Sequence, residues 1–209
     1  MSTLLVTCRD KKRVAHFYVP ALKAAGWTVV TFVAFLVFSA VWIKGLGLEH
    51  EKETLPEKLG AKDSDAALVA VAFLVCVLAP LAEEFFFRGF FFTALRSWKG
   101  PWPAAILTAL VFGGIHAGSA PAGYLVPLAA FGFGLCILYW RTGSLLPCIA
   151  LHCVNNCVAL GVTQGWGWEI PVYLFLGGLV AGLMLAVSVS VLVLGRARVT
   201  EAMRRGVVA

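Results

Sequence analysis

Long uninterrupted runs of apolar residues dominate this chain of 209 residues. A helix needs about 20 mostly apolar residues to cross a bilayer, and these runs do not alternate between apolar and polar residues as barrel strands do. Hydrophobic residues make up 60% of the sequence and charged residues 13%, whereas soluble domains have about 45–50% and about 25%. The sequence therefore excludes a soluble globular domain and a disordered chain, and it predicts an all-α, polytopic transmembrane helical bundle.

Six apolar runs are predicted as membrane spans. They cover residues 24–43, 66–96, 103–117, 123–140, 144–161 and 169–194. As a straight helix the second run would measure about 45 Å, against a hydrocarbon core of about 30 Å. It must therefore tilt, kink at Pro80 or extend beyond the membrane.

The net charge of +6 is explained by membrane topology rather than by a nucleic-acid partner. Basic residues collect in the cytoplasmic segments of membrane proteins, and Trp prefers the membrane interface. All seven tryptophans lie within a few residues of a predicted span end. The predicted inner segments carry most of the basic residues, namely Arg9, Lys11, Lys12, Arg13, Lys23, Arg96, Lys99, Arg141, Arg196, Arg198, Arg204 and Arg205. We therefore expect a multi-pass protein of a bacterial or archaeal cell membrane with both termini cytoplasmic.

Charged side chains inside a bilayer are costly and point to function. The second span contains Glu83, Glu84 and Arg88. On a helix, Glu84 and Arg88 are four residues apart and can pair, whereas Glu83 lies about 100° further round the helix. We expect one structural and one free carboxylate. The alternative is that all three residues only anchor the helix at the membrane interface.

Two further spans contain histidines. His116 follows Gly113 and Gly114, which would let another backbone approach closely. His152 is four residues before Asn156, so the two side chains project from one helix face. Taken separately, each histidine has the alternative role of a packing residue with an interhelical hydrogen bond.

The polar residues of the three spans are predicted to lie at similar depths in the membrane. Counted from the predicted cytoplasmic span ends, Glu83, His116 and His152 lie about 16–20 Å along their helices. Three helices would then contribute to one intramembrane polar site. A carboxylate can act as a general base for water, and a His with an amide can stabilise an oxyanion. These groups are the parts needed to hydrolyse an amide bond.

Three sequence motifs resemble those of the CAAX-protease and bacteriocin-processing (CPBP) superfamily. They are Glu83-Glu84-x-x-x-Arg88, Phe112-x-x-x-His116 and His152-x-x-x-Asn156. That superfamily includes CAAX prenyl endopeptidases and bacterial membrane proteins linked to bacteriocin processing, immunity or lysostaphin resistance. The resemblance covers about residues 66–161. It implies an all-helical intramembrane endopeptidase that uses a glutamic mechanism, although such proteins are often described as metalloendopeptidases.

The resemblance also implies roles for individual residues. Glu83 would activate the water with help from His116, while His152 and Asn156 would form the oxyanion hole. Glu84, Arg88 and Phe112 would support the site. The chain would then divide into residues 1–65 with the basic segment, first span and acidic loop, a catalytic core at 66–161, and residues 162–209 with the last span and basic tail.

Cofactor and partners follow from the same reading. We expect no cofactor, because the sequence has no close pair of zinc ligands such as HExxH. The alternative is a zinc ion bound by Glu83, His116 and His152. We expect a protein or peptide substrate in or at the lipid bilayer, no nucleic acid, and a homodimer contact at Gly178-x-x-x-Gly182. Two alternative functions remain: a non-catalytic scaffold or bacteriocin-immunity-type protein, and a small transporter.

Overall fold

A computed structural model describes residues 21–48 and 54–165 of the chain. These ranges are helical and contain no strand. The elements are α1 (Ala21–Leu46), α2 (Leu55–Lys58), α3 (Asp65–Lys99), α4 (Pro101–Ile115), α5 (Leu125–Thr142) and α6 (Leu146–Thr163). The predicted all-α fold is thus confirmed.

Four helices in the described ranges are long and apolar enough to cross a membrane, namely α1, α3, α6 and the continuous segment Ala122–Thr142, which includes α5. The predicted third span corresponds to α4, an apolar helix of only 15 residues. The predicted sixth span, 169–194, lies outside the described residues. The chain is an integral membrane protein, and a count of six spans is consistent with this structure.

The long helix α3 contains two segments in which the hydrogen-bonding pattern is π-helical. Ser64 caps its start, because the Ser64 hydroxyl accepts from the Ala67 N–H at 3.1 Å. Two π-helical segments, Leu74–Leu78 and Phe85–Phe92, flank an α-helical segment at Ala79–Glu84. Pro80 lies in that middle segment and has no N–H to donate. The predicted kink site is therefore a place where the regular ladder is interrupted, and π segments are common at functional sites.

Short glycine turns connect the helices at the predicted inner end. Gly100 has a φ of +81° and separates α3 from α4 by one residue. Gly143 has a φ of +65° and ends α5. Because positive φ favours glycine, these two turns let consecutive helices reverse direction and pack side by side.

Glycine also sets the contact between α4 and α5. A Cβ atom added at Gly113 would lie 2.8 Å from both the Leu125 carbonyl oxygen and the Ala129 Cβ. An added Cβ at Gly114 would meet nothing within 4 Å. The predicted close backbone approach is confirmed at Gly113 and wrong at Gly114, because Gly114 lies on the exposed side of α4.

The apolar core lies between α3, α4, α5 and α6. Its main cluster consists of Phe87, Phe112, Phe131, Leu135, Leu138, Cys148 and Leu151. Helix α1 packs against α5 at the outside of this core, where the rings of Phe35 and Phe131 are 4.7 Å apart. At the other end of α1, the Trp42 indole donates to the Gly123 carbonyl oxygen at 2.9 Å.

Candidate active site

An ion pair inside α3 forms the base of the site. Arg88 Nη1 donates to Glu84 Oε1 at 2.8 Å, and neither side chain is accessible to solvent. The second guanidinium nitrogen, Nη2, donates to the Gly132 carbonyl oxygen on α5 at 2.9 Å. The pairing predicted from the four-residue spacing is therefore present, and the backbone of a neighbouring helix completes it.

His152 on α6 binds the same carboxylate. Its Nδ1 lies 2.7 Å from Glu84 Oε1, which also accepts from Arg88. An ionised carboxylate only accepts hydrogen bonds, so His152 Nδ1 is the donor to an ionised Glu84. That bond fixes the imidazole ring of His152. The other ring nitrogen, Nε2, then faces Glu83, the residue before Glu84, and lies 3.8 Å from Glu83 Oε2.

Glu83 differs from its neighbour in partners and exposure. Its side chain retains 25% of its accessible surface, against 0% for Glu84. The Oε2 atom of Glu83 is buried and has no hydrogen-bond partner among the described residues. A distance of 3.8 Å to His152 is too long for a direct hydrogen bond. Glu84 Oε2 also lacks a partner among the described residues, but only Glu83 is at the partly open side of the site.

Phe112 joins the two histidines. The centroid of its ring lies 5.0 Å from that of His116 and 5.7 Å from that of His152. The guanidinium carbon of Arg88 lies 4.7 Å from the same centroid. The histidines of the second and third motifs and Arg88 of the first therefore surround one aromatic side chain, whereas a common membrane depth for Glu83, His116 and His152 stays a prediction.

His116 lies at the end of a helix rather than within one. Helix α4 ends at Ile115, and His116 occupies the C-cap position, so the predicted span end at 117 is slightly too late. His116 Nδ1 lies 2.7 Å from the Phe112 carbonyl oxygen. Because a carbonyl oxygen only accepts, Nδ1 is the donor, and Nε2 remains the free ring nitrogen.

Asn156 projects onto α3, as does His152. Its Nδ2 donates to the Val75 carbonyl oxygen in the first π segment at 3.0 Å. Its Oδ1 accepts from Asn155 at 3.4 Å. An amide nitrogen carries two N–H groups, so one further donor remains on Asn156. The shared face of His152 and Asn156 is present, while the oxyanion role of Asn156 stays a prediction.

A metal site would need several ligands within reach of one ion. Among the described residues, no group of three His, Cys, Asp or Glu side chains is placed to hold a metal. Nδ1 of His152 already binds Glu84, and Nδ1 of His116 binds a carbonyl oxygen. These bonds leave Nε2 of both histidines and Oε2 of Glu83 available, and histidines that bind a metal usually donate their other ring N–H in this way, so the absence of a cofactor stays a prediction.

Sequence reasoning missed the residues that support the network through backbone or ring contacts. The Gly132 and Val75 carbonyl oxygens accept from motif side chains, and the Phe131 ring lies 5.5 Å from His152. An added Cβ at Gly132 would come within 3.0 Å of Phe112. A glycine in an apolar helix was the available signal, since it permits close backbone approach.

This architecture defines a class, a helical membrane protein with a buried Glu–Arg–His network beside a partly open carboxylate. Residues 65–158 match the family model described as Type II CAAX prenyl endopeptidase Rce1-like. This match contains all three motifs, so their resemblance to CAAX endopeptidases is confirmed over residues 65–158.

One curated relative is an Escherichia coli protein described as an uncharacterized 24.3 kDa protein. It is 30% identical over 133 residues, which is 62% of this chain. The match spans 60% of the relative's own length. No solved structure matches the chain.

Proposed function

We propose that this protein is an intramembrane endopeptidase in which Glu83 activates water to hydrolyse a peptide bond. The observation that carries the proposal is the unpartnered Glu83 Oε2 atom, 3.8 Å from Nε2 of a histidine that Glu84 holds in place. A water can hydrogen bond to both atoms across such a gap. The match to the Rce1-like family model supports the same class of enzyme.

In the proposed reaction, Glu83 removes a proton from the water as the water oxygen attacks the peptide carbonyl carbon. Glu83 then gives that proton to the leaving amine. The free Nε2 of His116 would help to position the water. No serine or cysteine nucleophile takes part, and the proposed mechanism uses no metal.

The oxyanion would be stabilised by His152 Nε2 and the remaining N–H of Asn156. His152 serves as this donor when both of its ring nitrogens carry protons. In that state the charges of Glu83, Glu84, Arg88 and His152 sum to zero. A buried site with zero net charge avoids much of the cost of placing ions in an apolar environment.

We propose a membrane-associated polypeptide as the substrate, because the site is built from apolar helices. The family description suggests a lipidated C-terminal segment of the CAAX type. The positive-inside pattern supports a cell-membrane location with both termini in the cytoplasm.

The test compares the membrane proteomes of host cells that produce wild-type protein, Glu83→Gln or Glu57→Gln. Glu57 is an exposed carboxylate at the surface, paired with Lys62, and serves as the matched control. We expect a new protein terminus in cells with wild type or Glu57→Gln and its absence with Glu83→Gln at equal membrane abundance. The same termini in all three strains would favour a non-catalytic scaffold instead.

A further inference from the structure

Two buried thiols from different helices meet outside the proposed catalytic groups. Cys76 lies in the first π segment of α3, and Cys157 lies on α6. The two residues pack in one buried cluster with Ala72 and Leu160, and their side chains lie close enough to interact. Both cysteines are free thiols.

A neighbouring hydrogen bond keeps these two thiols adjacent. Asn156 precedes Cys157 and donates to the carbonyl oxygen of Val75, which precedes Cys76, at 3.0 Å. The contact between α3 and α6 is thus fixed one residue before each cysteine. This geometry holds the sulfur atoms together without a covalent bond.

We propose that Cys76 and Cys157 form a redox modification site, at which a peroxide converts the two thiols into a disulfide that links α3 to α6. One sulfur attacks a peroxide oxygen and becomes a sulfenic acid while the O–O bond breaks and one water leaves. The second sulfur attacks that sulfenic sulfur, the S–S bond forms, and a second water leaves. Both thiols are oxidised and the peroxide is reduced.

The other cysteines explain the choice of pair. Cys153 and Cys157 lie four apart on α6, where Cβ atoms are about 5–6 Å apart, and a disulfide needs about 3.5–4.5 Å. Cys148 directs its thiol to the carbonyl oxygens of Leu135 and Ser144. Cys136 packs in a separate cluster beside Phe92 and Ala104. Of the five cysteines that the structure describes, Cys76 and Cys157 are therefore the two that share a cluster across the contact between α3 and α6.

The two thiols are buried near one end of the bundle, so a small oxidant reaches them when α6 opens locally. Cys157 lies six residues before the end of α6 at Thr163, which is about 9 Å of helix. In the proposed topology, the Thr163 end of α6 is on the non-cytoplasmic side of the membrane. Disulfides persist on that side because it is not kept reduced as the cytoplasm is. A link here would fasten the helix that carries His152 to the helix that carries Glu83.

The test uses the full-length protein in detergent, reduced and then treated with hydrogen peroxide. Remaining thiols are blocked with N-ethylmaleimide, and the peptides are analysed by mass spectrometry. We expect a Cys76–Cys157 linked peptide that has lost two hydrogen atoms and is released by dithiothreitol. Oxidation should also raise Tm by several degrees, because the link restricts the unfolded chain.

The controls separate this site from general oxidation and from catalysis. Cys157→Ser should lose the linked peptide and the Tm rise, while Cys136→Ser should retain both. Glu83→Gln, treated in parallel, should form the link even if the peptidase proposal fails. The proposal is overturned if folded wild-type protein keeps both thiols alkylatable after peroxide treatment, or if Cys76 is found linked to Cys153.

Discussion

The two adjacent carboxylates of α3 lie in contrasting regions of the same site. Glu84 is fully buried, and one of its oxygens accepts from both Arg88 and His152. Among the described residues each carboxylate has one oxygen without a hydrogen-bond partner, but Glu83 is partly exposed and its side chain makes no direct ion pair as close as that of Glu84. One residue of helical rotation is enough to separate them, since it turns the side chain by about 100°. A structural carboxylate and a reactive one can therefore be neighbours in sequence.

The buried network of Glu84, Arg88 and His152 fixes the geometry of the partly open region around Glu83. Arg88 binds the carbonyl oxygen of Gly132, and Glu84 binds His152. Three helices are thus connected through charged hydrogen bonds, which are stronger than neutral ones. The orientation of His152 towards Glu83 depends on this network. Substitutions in this network should therefore lower the free energy of unfolding, whereas substitutions at Glu83 should lower turnover.

The largest expected loss of stability follows Arg88→Met. The substitution leaves Glu84 buried with an uncompensated charge, which costs about 3–5 kcal/mol. We expect a much lower Tm in detergent, measured by thermal unfolding, and a low yield of folded protein.

Replacing both partners tests whether the loss comes from the unpaired charge. Glu84→Gln combined with Arg88→Met should recover part of the Tm lost by Arg88→Met alone. A double variant that is as unstable as the sum of both single variants would show that the two residues contribute independently.

A smaller loss is expected at the contact between α4 and α5. Gly113→Ala places a Cβ against backbone atoms at 2.8 Å and should cost about 1–3 kcal/mol. Gly114→Ala adds a Cβ where nothing lies within 4 Å and should be neutral or stabilising by up to about 1 kcal/mol. Equal Tm values for the two variants would contradict the packing described for this face.

Asn156→Ala should have a moderate effect. It removes the hydrogen bond to Val75 in the first π segment, at a cost of about 1 kcal/mol. If Asn156 also binds the oxyanion, turnover should fall by about 10²-fold or more. Thr163→Ala is the control, because it removes only a local hydrogen bond to Leu160 on the same helix. A variant of Asn156 with lower Tm but unchanged turnover would assign this residue to helix packing alone.

The smallest expected effect is that of metal removal. With a glutamic mechanism, dialysis against EDTA or 1,10-phenanthroline should leave turnover unchanged, and elemental analysis should find no stoichiometric zinc. Loss of turnover on chelation, restored by added Zn²⁺, would support zinc binding by Glu83, His116 and His152 instead.

The fold and the centre of the site were largely predictable from local patterns. Apolar runs located the helices within a few residues, and the four-residue spacing predicted the Glu84–Arg88 pair. These local predictions succeed because helical geometry is regular and because charged residues are costly in a bilayer. The rings of His116 and His152 both lie against Phe112, while a common site for Glu83 and His116 stays a prediction.

Tertiary contacts to backbone atoms were not predictable in the same way. Nothing in the sequence specifies that Arg88 binds the Gly132 carbonyl oxygen or that Asn156 binds that of Val75. The π segments of α3 also depend on how the ladder adjusts around Pro80 and the packing partners. The position of Phe112 between the two histidines could be predicted only if the relative placement of α4 and α6 were already known.

The most direct test compares Glu83→Gln with Glu84→Gln in one experiment. Purified variants would be assayed for Tm and for cleavage of a quenched fluorescent peptide that carries the site identified in the membrane-proteome comparison. We predict that Glu83→Gln keeps the wild-type Tm within a few degrees and loses about 10²–10⁴-fold in kcat/KM, while Glu84→Gln lowers Tm markedly. Retained turnover in Glu83→Gln, or an equal loss of Tm in both variants, would contradict the account.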